Sequence, residues 1–160
     1  MRELSPDSLA QPLASILIHN QALLAELLDV RKFFEPPLAA RAATLARPEE
    51  VARLEEILAK QVARTARGEV AIAEDSEFHY AVATAARNRV ALKVLDVLMD
   101  LLLESRQRSL QVPGRIQRSL DGHRRILNAI KRHDGRGAEH AMRQHLTEIE
   151  DVLLKSQPEG

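Results

Sequence analysis

The sequence predicts an all-α fold, an antiparallel bundle of about six or seven helices, and two observations carry that prediction. Apolar residues recur at three- and four-residue spacing almost throughout the 160 residues, and no convincing period-2 alternation bounded by turn residues accompanies them. The apolar set is dominated by Leu, Ala, Val and Ile, aromatic residues make up only 2%, and the charged set is rich in Arg and Glu, so helix formers prevail. With 45% hydrophobic residues, a chain of this length can bury one useful core and fits one domain.

Taken in order, the spacing predicts a first helix from about Ser8 to His19 and a second from Gln21 to Glu35, with Leu23, Leu24, Leu27, Leu28 and Val30 on its apolar side. Pro36 and Pro37 remove two backbone donors, so an interruption or kink is expected before a short Ala-rich continuation over Leu38–Ala46. Pro48 suits the first position of the next helix, whose stripe is Val51, Leu54, Ile57, Leu58 and Val62, and which stops near Gly68. Glu69 to Arg87 follows, closed by Asn88. Val90 to Leu110 carries a dense apolar run, Leu92–Leu103, expected to be the central, most buried helix. A Pro113-Gly114 turn leads into Arg115–His133, an Asp134-Gly135 turn into Gly137–Lys155, and the tail after Ser156 is expected to be loose.

The charge balance narrows the function classes. Lys plus Arg and Asp plus Glu both number 23, so no net positive field attracts nucleic acid or an acidic membrane surface. There are no cysteines, which removes disulfides and thiolate metal sites and favours the cytoplasm. No stretch is apolar for long enough to serve as a membrane span, and the first 14 residues lack a signal-peptide core.

The chemistry lies in four polar residues on core-facing stripes. Asp75 and His79 are four residues apart, about 40° around a helix, on the face that also carries Val82, Ala83 and Ala86. His123 shares its face with Ile126, Leu127 and Ile130, and His145 shares its own with Ala138, Ala141, Met142, Ile149 and Val152. Burying such groups without partners costs about 1–3 kcal/mol each, and more for a carboxylate. One divalent ion satisfies all four. Imidazole nitrogen and carboxylate oxygen suit zinc, nickel, iron or manganese, and a six-coordinate ion would keep two positions open. Taken singly, each histidine is more simply a core residue bonded to a backbone carbonyl. His19, His133 and His140 lie near helix ends or off these stripes.

The segments around these residues resemble the ligand-binding domain of GntR-type transcription regulators of the FadR-like subgroup. The resemblance rests on Asp75-Ser76-Glu77-Phe78-His79 followed by Ala85-Ala86-Arg87-Asn88, on His123 to Ile130, then Asp134, and on Ala138 through Met142 to His145-Leu146. Val30-Arg31, Glu35, Ala39-Ala40 and Ala42-Ala43 resemble the family's opening segment, so the similarity runs from about Leu23 to Leu154. It implies a FadR C-terminal-domain-like bundle in which Asp75, His79, His123 and His145 hold one divalent metal, as in the family's metal-binding branch. It also implies a small organic acid as effector and a homodimer, with DNA reached only through an N-terminal winged-helix domain for which these residues have no room. Residues 1–22 are then expected to be a helix or linker toward that domain, residues 23–155 the ligand-binding domain and residues 156–160 a loose tail.

Arg31 and Asn88 are the candidate effector contacts. Arg31 suits a two-point hydrogen bond to a carboxylate, or equally an ion pair with Glu35 one turn later. Asn88 could point its amide at a metal-bound ligand, or cap a helix end in left-handed geometry. The competing function is a metal-dependent hydrolase or oxygenase, since an Asp and three His around an open metal can activate water. The ligand motifs offer no general base for it: Glu77 lies about 200° around the helix from both Asp75 and His79.

Overall fold

A computed structural model describes residues 21–155, which form seven helices and no strand. In chain order they are α1 (Gln21–Leu45), α2 (Pro48–Ala66), α3 (Ile72–Ala85), α4 (Arg89–Leu101), α5 (Leu103–Ser109), α6 (Arg115–Lys131) and α7 (Gly135–Lys155). The expected Ser8–His19 helix, residues 1–20 as a whole and the tail from Ser156 lie outside the described residues.

Helix starts follow their local chemistry. Pro48 opens α2, and the Glu50 carboxylate returns to accept from Arg47 N at 2.9 Å. Asp134 Oδ1 accepts from Gly137 N at 2.8 Å and starts α7 two residues earlier than the spacing suggested. His133 closes the preceding turn in left-handed geometry, φ 54°, with Nδ1 3.0 Å from Ala43 O.

Of the interruption or kink expected at Pro36-Pro37, the interruption does not occur: α1 runs through both prolines for 25 residues. A proline orphans the carbonyl four residues earlier, here Lys32 O and Phe33 O. Arg143 Nη1, from α7, donates to Lys32 O at 3.3 Å, and Phe33 sits on the exposed side of α1. Tertiary packing thus carries the helix across a sequence that locally opposes it.

The core lies among α1, α2, α3, α6 and α7. Ala39, Ala42 and Ala43 of α1 let its backbone approach Leu54 and Ile57, Phe78 and Val82, Ile126 and Ile130, and Met142 and Leu146. Leu24 and Leu28 continue the core along Ile149 and Leu153 of α7, with Leu102 beside them.

Val90–Leu110 is neither one helix nor the central one. It divides at Leu102 into α4 and α5 and packs at the side of the bundle, leaving Val90 75% exposed and Val94 and Val97 also open to solvent. The run also carries Lys93, Asp96 and Asp100, and the apolar residues it buries form one stripe, Ala91, Leu95, Leu98 and Met99, with Leu92 partly buried beside it. Apolar density alone therefore misplaced it, and α1, packed along α7 and against α3, α4 and α6, holds the centre. The buried stripe of α4 continues through Leu102 into α5 but turns polar, as Ser105, Arg106 and Ser109.

Candidate metal centre

Three helices bring three imidazoles together. His79 of α3, His123 of α6 and His145 of α7 are all buried, and their ring nitrogens lie within 4.8 Å of one another. His79 Nε2 is 3.4 Å from His123 Nε2 and 3.3 Å from His145 Nε2. These separations match the edges of a coordination shell: ligands about 2.0–2.1 Å from a common ion stand roughly 3.0–3.4 Å apart.

Their outer nitrogens fix the tautomers. His79 Nδ1 lies 2.5 Å from Glu35 Oε2, a carboxylate that only accepts, so the ring carries its proton on Nδ1. His123 Nδ1 donates to Gln61 Oε1 at 2.8 Å. Both Nε2 atoms are then lone-pair sites that face each other across 3.4 Å, an arrangement a cation between them reverses from repulsive to attractive. Carboxylate and amide partners of this kind orient metal-bound histidines. His145 Nδ1 is buried without a hydrogen-bond partner. It lies against Gly122, where a β-carbon would come within 2.3 Å of it.

Asp75 stands beside this group with both oxygens engaged. Oδ2 accepts from Arg106 Nη2, Oδ1 accepts from Ser119 Oγ at 2.5 Å, and Oδ1 is 3.7 Å from His123 Nε2. A carboxylate has about four lone-pair sites, so Oδ1 retains capacity for one more partner. Arg106 Nη1 also donates to Ser76 Oγ at 2.8 Å, which fixes the fork. Glu77 turns outward and pairs with Arg53 on the surface, as its position around the helix implied.

Arg31 realises its ion pair with Glu35, Nε to Oε1 at 2.5 Å, but both residues are buried, and Arg31 Nη2 has no partner. Asn88 is exposed. Its Oδ1 accepts from Ala91 N at 3.0 Å and caps the start of α4 with extended backbone, so the structure does not bring it to the histidines. The left-handed residue at this junction is Arg87, φ 58°.

Sequence reasoning passed over five participants: Glu35 and Gln61 as orienting groups, and Arg106, Arg115 and Ser119 as buried polar neighbours. Each sits on a core-facing stripe. Gln61 extends Leu54, Ile57 and Leu58, while Arg115 and Ser119 precede His123 by two turns and one turn.

Burial drives the electrostatics. It pushes His123 down to about 3, and it pushes His145 well below the ordinary histidine value, with His123 and His79 adding to the effect. Burial alone would raise the two carboxyls, but Arg106 and then His123 hold Asp75 well below its usual range, and Arg31 and His79 bring Glu35 to about 2. In the unfolded chain both histidines protonate near 6.5. Below that pH the unfolded chain binds more protons than the folded one, so stability falls with pH, by up to about 1.4 kcal/mol per unit for each group. Asp75 and Glu35 add the same sign below their ordinary values of 3.8 and 4.5. The chelator-treated domain should therefore melt at a steady temperature above about pH 7 and at progressively lower ones toward pH 5. A melting temperature constant over that interval would contradict neutral, buried His123 and His145.

Buried polar groups are thus held in orientation inside one helical bundle, some of them lacking a partner. Comparison with known proteins identifies its family. Residues 26–148 match the FCD domain, and the chain belongs to that family, the C-terminal effector-binding domain of GntR-type transcription regulators. It is a regulator's sensing domain and not an enzyme. The chain is 31% identical over 158 residues to the HTH-type transcriptional regulator LutR of Bacillus subtilis (strain 168), a match covering 96% of this chain and 72% of that protein. It is 28% identical over 155 residues to the putative L-lactate dehydrogenase operon regulatory protein of Escherichia coli (strain K12), covering 94% of this chain and 59% of that protein. Among solved structures, Streptococcus agalactiae GntR superposes with a TM-score of 0.71 at 23% identity, over 81% of this chain and 59% of that one, which establishes the shared all-α fold. No helix among the described residues is long and apolar enough to cross a membrane.

Proposed function

We propose that this domain senses a small carboxylic acid, which completes the coordination shell of one divalent ion held by Asp75, His79, His123 and His145. The observation that carries the reading is the convergence of the three Nε2 atoms at 3.3 and 3.4 Å. Asp75 would join through Oδ1 while Oδ2 keeps Arg106. Zinc, nickel, iron and manganese all accept this donor set, and four protein ligands on a six-coordinate ion leave two positions. The ion would supply a concentrated positive charge for gripping an anion. A divalent ion with one carboxylate and neutral imidazoles carries a formal charge of +1, so an anionic effector is favoured where the local dielectric is low.

In this reading Arg31 offers its free Nη2 to the effector, and two copies of the domain pair. DNA is contacted in the cytoplasm by an N-terminal winged-helix domain and not by these helices. The effector acts by binding two packings of the bundle unequally, the only way a ligand shifts an equilibrium. Because one relative is named as a putative L-lactate dehydrogenase operon regulatory protein, L-lactate is the first acid to test.

Purified protein should contain about one divalent ion per chain by mass spectrometry, removable by chelation with the helical spectrum retained. L-lactate and other hydroxy acids should bind the loaded protein at least about tenfold more tightly than the stripped protein in calorimetric titration. Protein purified without metal, unable to take up zinc, nickel or manganese, would sink the proposal. So would acids that bind equally well after the ion is removed.

A further inference from the structure

The described residues bury three guanidinium groups, Arg31, Arg106 and Arg115, against two carboxylates, Glu35 and Asp75. Each carboxylate has its own arginine: Glu35 pairs with Arg31, and Asp75 with Arg106. Arg115, 2% exposed, is the cation in excess, and its Nε and Nη1 have no hydrogen-bond partner. Such an arrangement is costly, because buried charges are ordinarily paired and each unsatisfied buried donor loses its hydration without return.

The excess charge is not remote from the histidines. Arg115 starts the α6 stripe that continues through Ser119, the hydrogen-bond partner of Asp75, to His123. Its charge acts on Asp75, His123 and His145, and it is itself acted on by Arg106 and Arg31. Burial lowers Arg115 to about 10, which leaves it cationic at neutral pH. Arg31 Nη2, likewise unpartnered, belongs to the same electrostatic neighbourhood. The fork of a guanidinium suits two oxygens of one carboxylate or phosphate.

We infer that Arg115 is a second anion-recognition point, so that the effector of this domain is a small acid with two anionic groups, one bound at the histidine cluster and the other by Arg115. The inference rests on the proposed metal-held carboxylate for the first group only. The second group follows from the unpartnered Arg115 donors, whatever fills the cluster. A monoanion leaves the Arg115 charge buried and unpaired, whereas a dianion matches both positive centres. The shared chemistry is a second anionic oxygen cluster, supplied by a dicarboxylate or by a phosphorylated acid.

The test is calorimetric titration of the metal-loaded protein with malonate, succinate, L-malate, phosphoglycolate and phospholactate, beside acetate, butyrate and L-lactate. At least one diacid should bind about tenfold or more tightly than the monoacid of matched length, and which series does so distinguishes the two sources. In Arg115→Met that ratio should fall to near one, and Arg115→Lys should keep part of it. Ligand-free Arg115→Met should melt higher than the parent, since it removes an unpaired buried cation, and a merely structural arginine would give the opposite shift. Equal binding of mono- and diacids by the parent overturns the inference even if the metal reading survives. A diacid preference that persists in Arg115→Met overturns it as well. If instead the preference depends on Arg115 but is the same in metal-stripped protein, the subsite stands and the metal reading fails.

Discussion

Replacing Arg106 by alanine is expected to destabilise the metal-free domain by about 3–5 kcal/mol, the usual effect of removing one partner of a buried ion pair. The guanidinium is 1% exposed, and it donates to Asp75 Oδ2 and to Ser76 Oγ. Without it Asp75, 3% exposed, keeps only the Ser119 hydroxyl as a hydrogen-bond donor among the described residues. The carboxylate must then stay charged in a medium that does not solvate it or take up a proton, and either outcome costs stability. For a domain of this size each kcal/mol shifts the midpoint by about 2–4 °C, so a fall on the order of 10 °C should appear in chelator-treated protein. The metal-free condition matters, because an ion on Asp75 Oδ1 would itself neutralise part of the orphaned charge. Removing both charges in Asp75→Asn/Arg106→Met should cost less than the single Arg106→Ala change, as coupled neighbours are not additive. A midpoint within a degree or two of the parent for Arg106→Ala would show that the pair contributes nothing to stability.

The bundle was legible in the sequence because helix formation here depends mostly on the spacing of apolar residues, and that spacing is local information. Two misreadings came from non-local causes. Pro36-Pro37 allowed an interruption that does not occur, and only the three-dimensional position of Arg143, more than a hundred residues later, shows how the Lys32 carbonyl is recovered. Leu92–Leu103 looked central because it is the most apolar stretch, yet burial depends on how much of a helix circumference meets partners, and α4 meets them on one stripe.

The histidine cluster was legible for a similar reason: a polar side chain on an apolar stripe stands out in one dimension. The same test applied to Gln61, Ser119, Arg115 and Arg106 would have found most of the surrounding shell. Arginine and glutamine are ordinarily surface residues, however, and their long side chains are easily read as reaching solvent from the edge of a stripe. Of the buried carboxylate pairings, only that of Arg31 with Glu35 could be read from the sequence. Arg31 and Glu35 are helix neighbours, but Asp75 with Arg106, and Glu35 with His79, join helices whose packing no local pattern encodes.

Gly122 is the residue whose smallest change should remove most of the metal. It lies inside α6, one residue before His123, with ordinary helical backbone, so no conformational demand for glycine exists there. On helix propensity alone alanine would be preferred by about 1 kcal/mol. What excludes alanine is His145: a β-carbon at position 122 would stand 2.3 Å from Nδ1, 2.9 Å from Cγ and 3.1 Å from Cβ of that side chain. These contacts run from the ring down to its root, so the imidazole cannot rotate a tip away and must move as a whole. Metal ligands tolerate displacements of only about 0.2 Å. Gly122→Ala is therefore expected to retain the helical spectrum while lowering zinc affinity by at least the roughly 10–100-fold typical of lost orienting groups, and more if His145 leaves the shell entirely. Competition with a chelator of known affinity measures this directly. His145→Ala, which removes the ligand without crowding α6, serves as the matched comparison. Should Gly122→Ala bind zinc as tightly as the parent while His145→Ala also does, His145 is not a ligand. Should only His145→Ala lose zinc, α6 and α7 can separate enough to admit a methyl group.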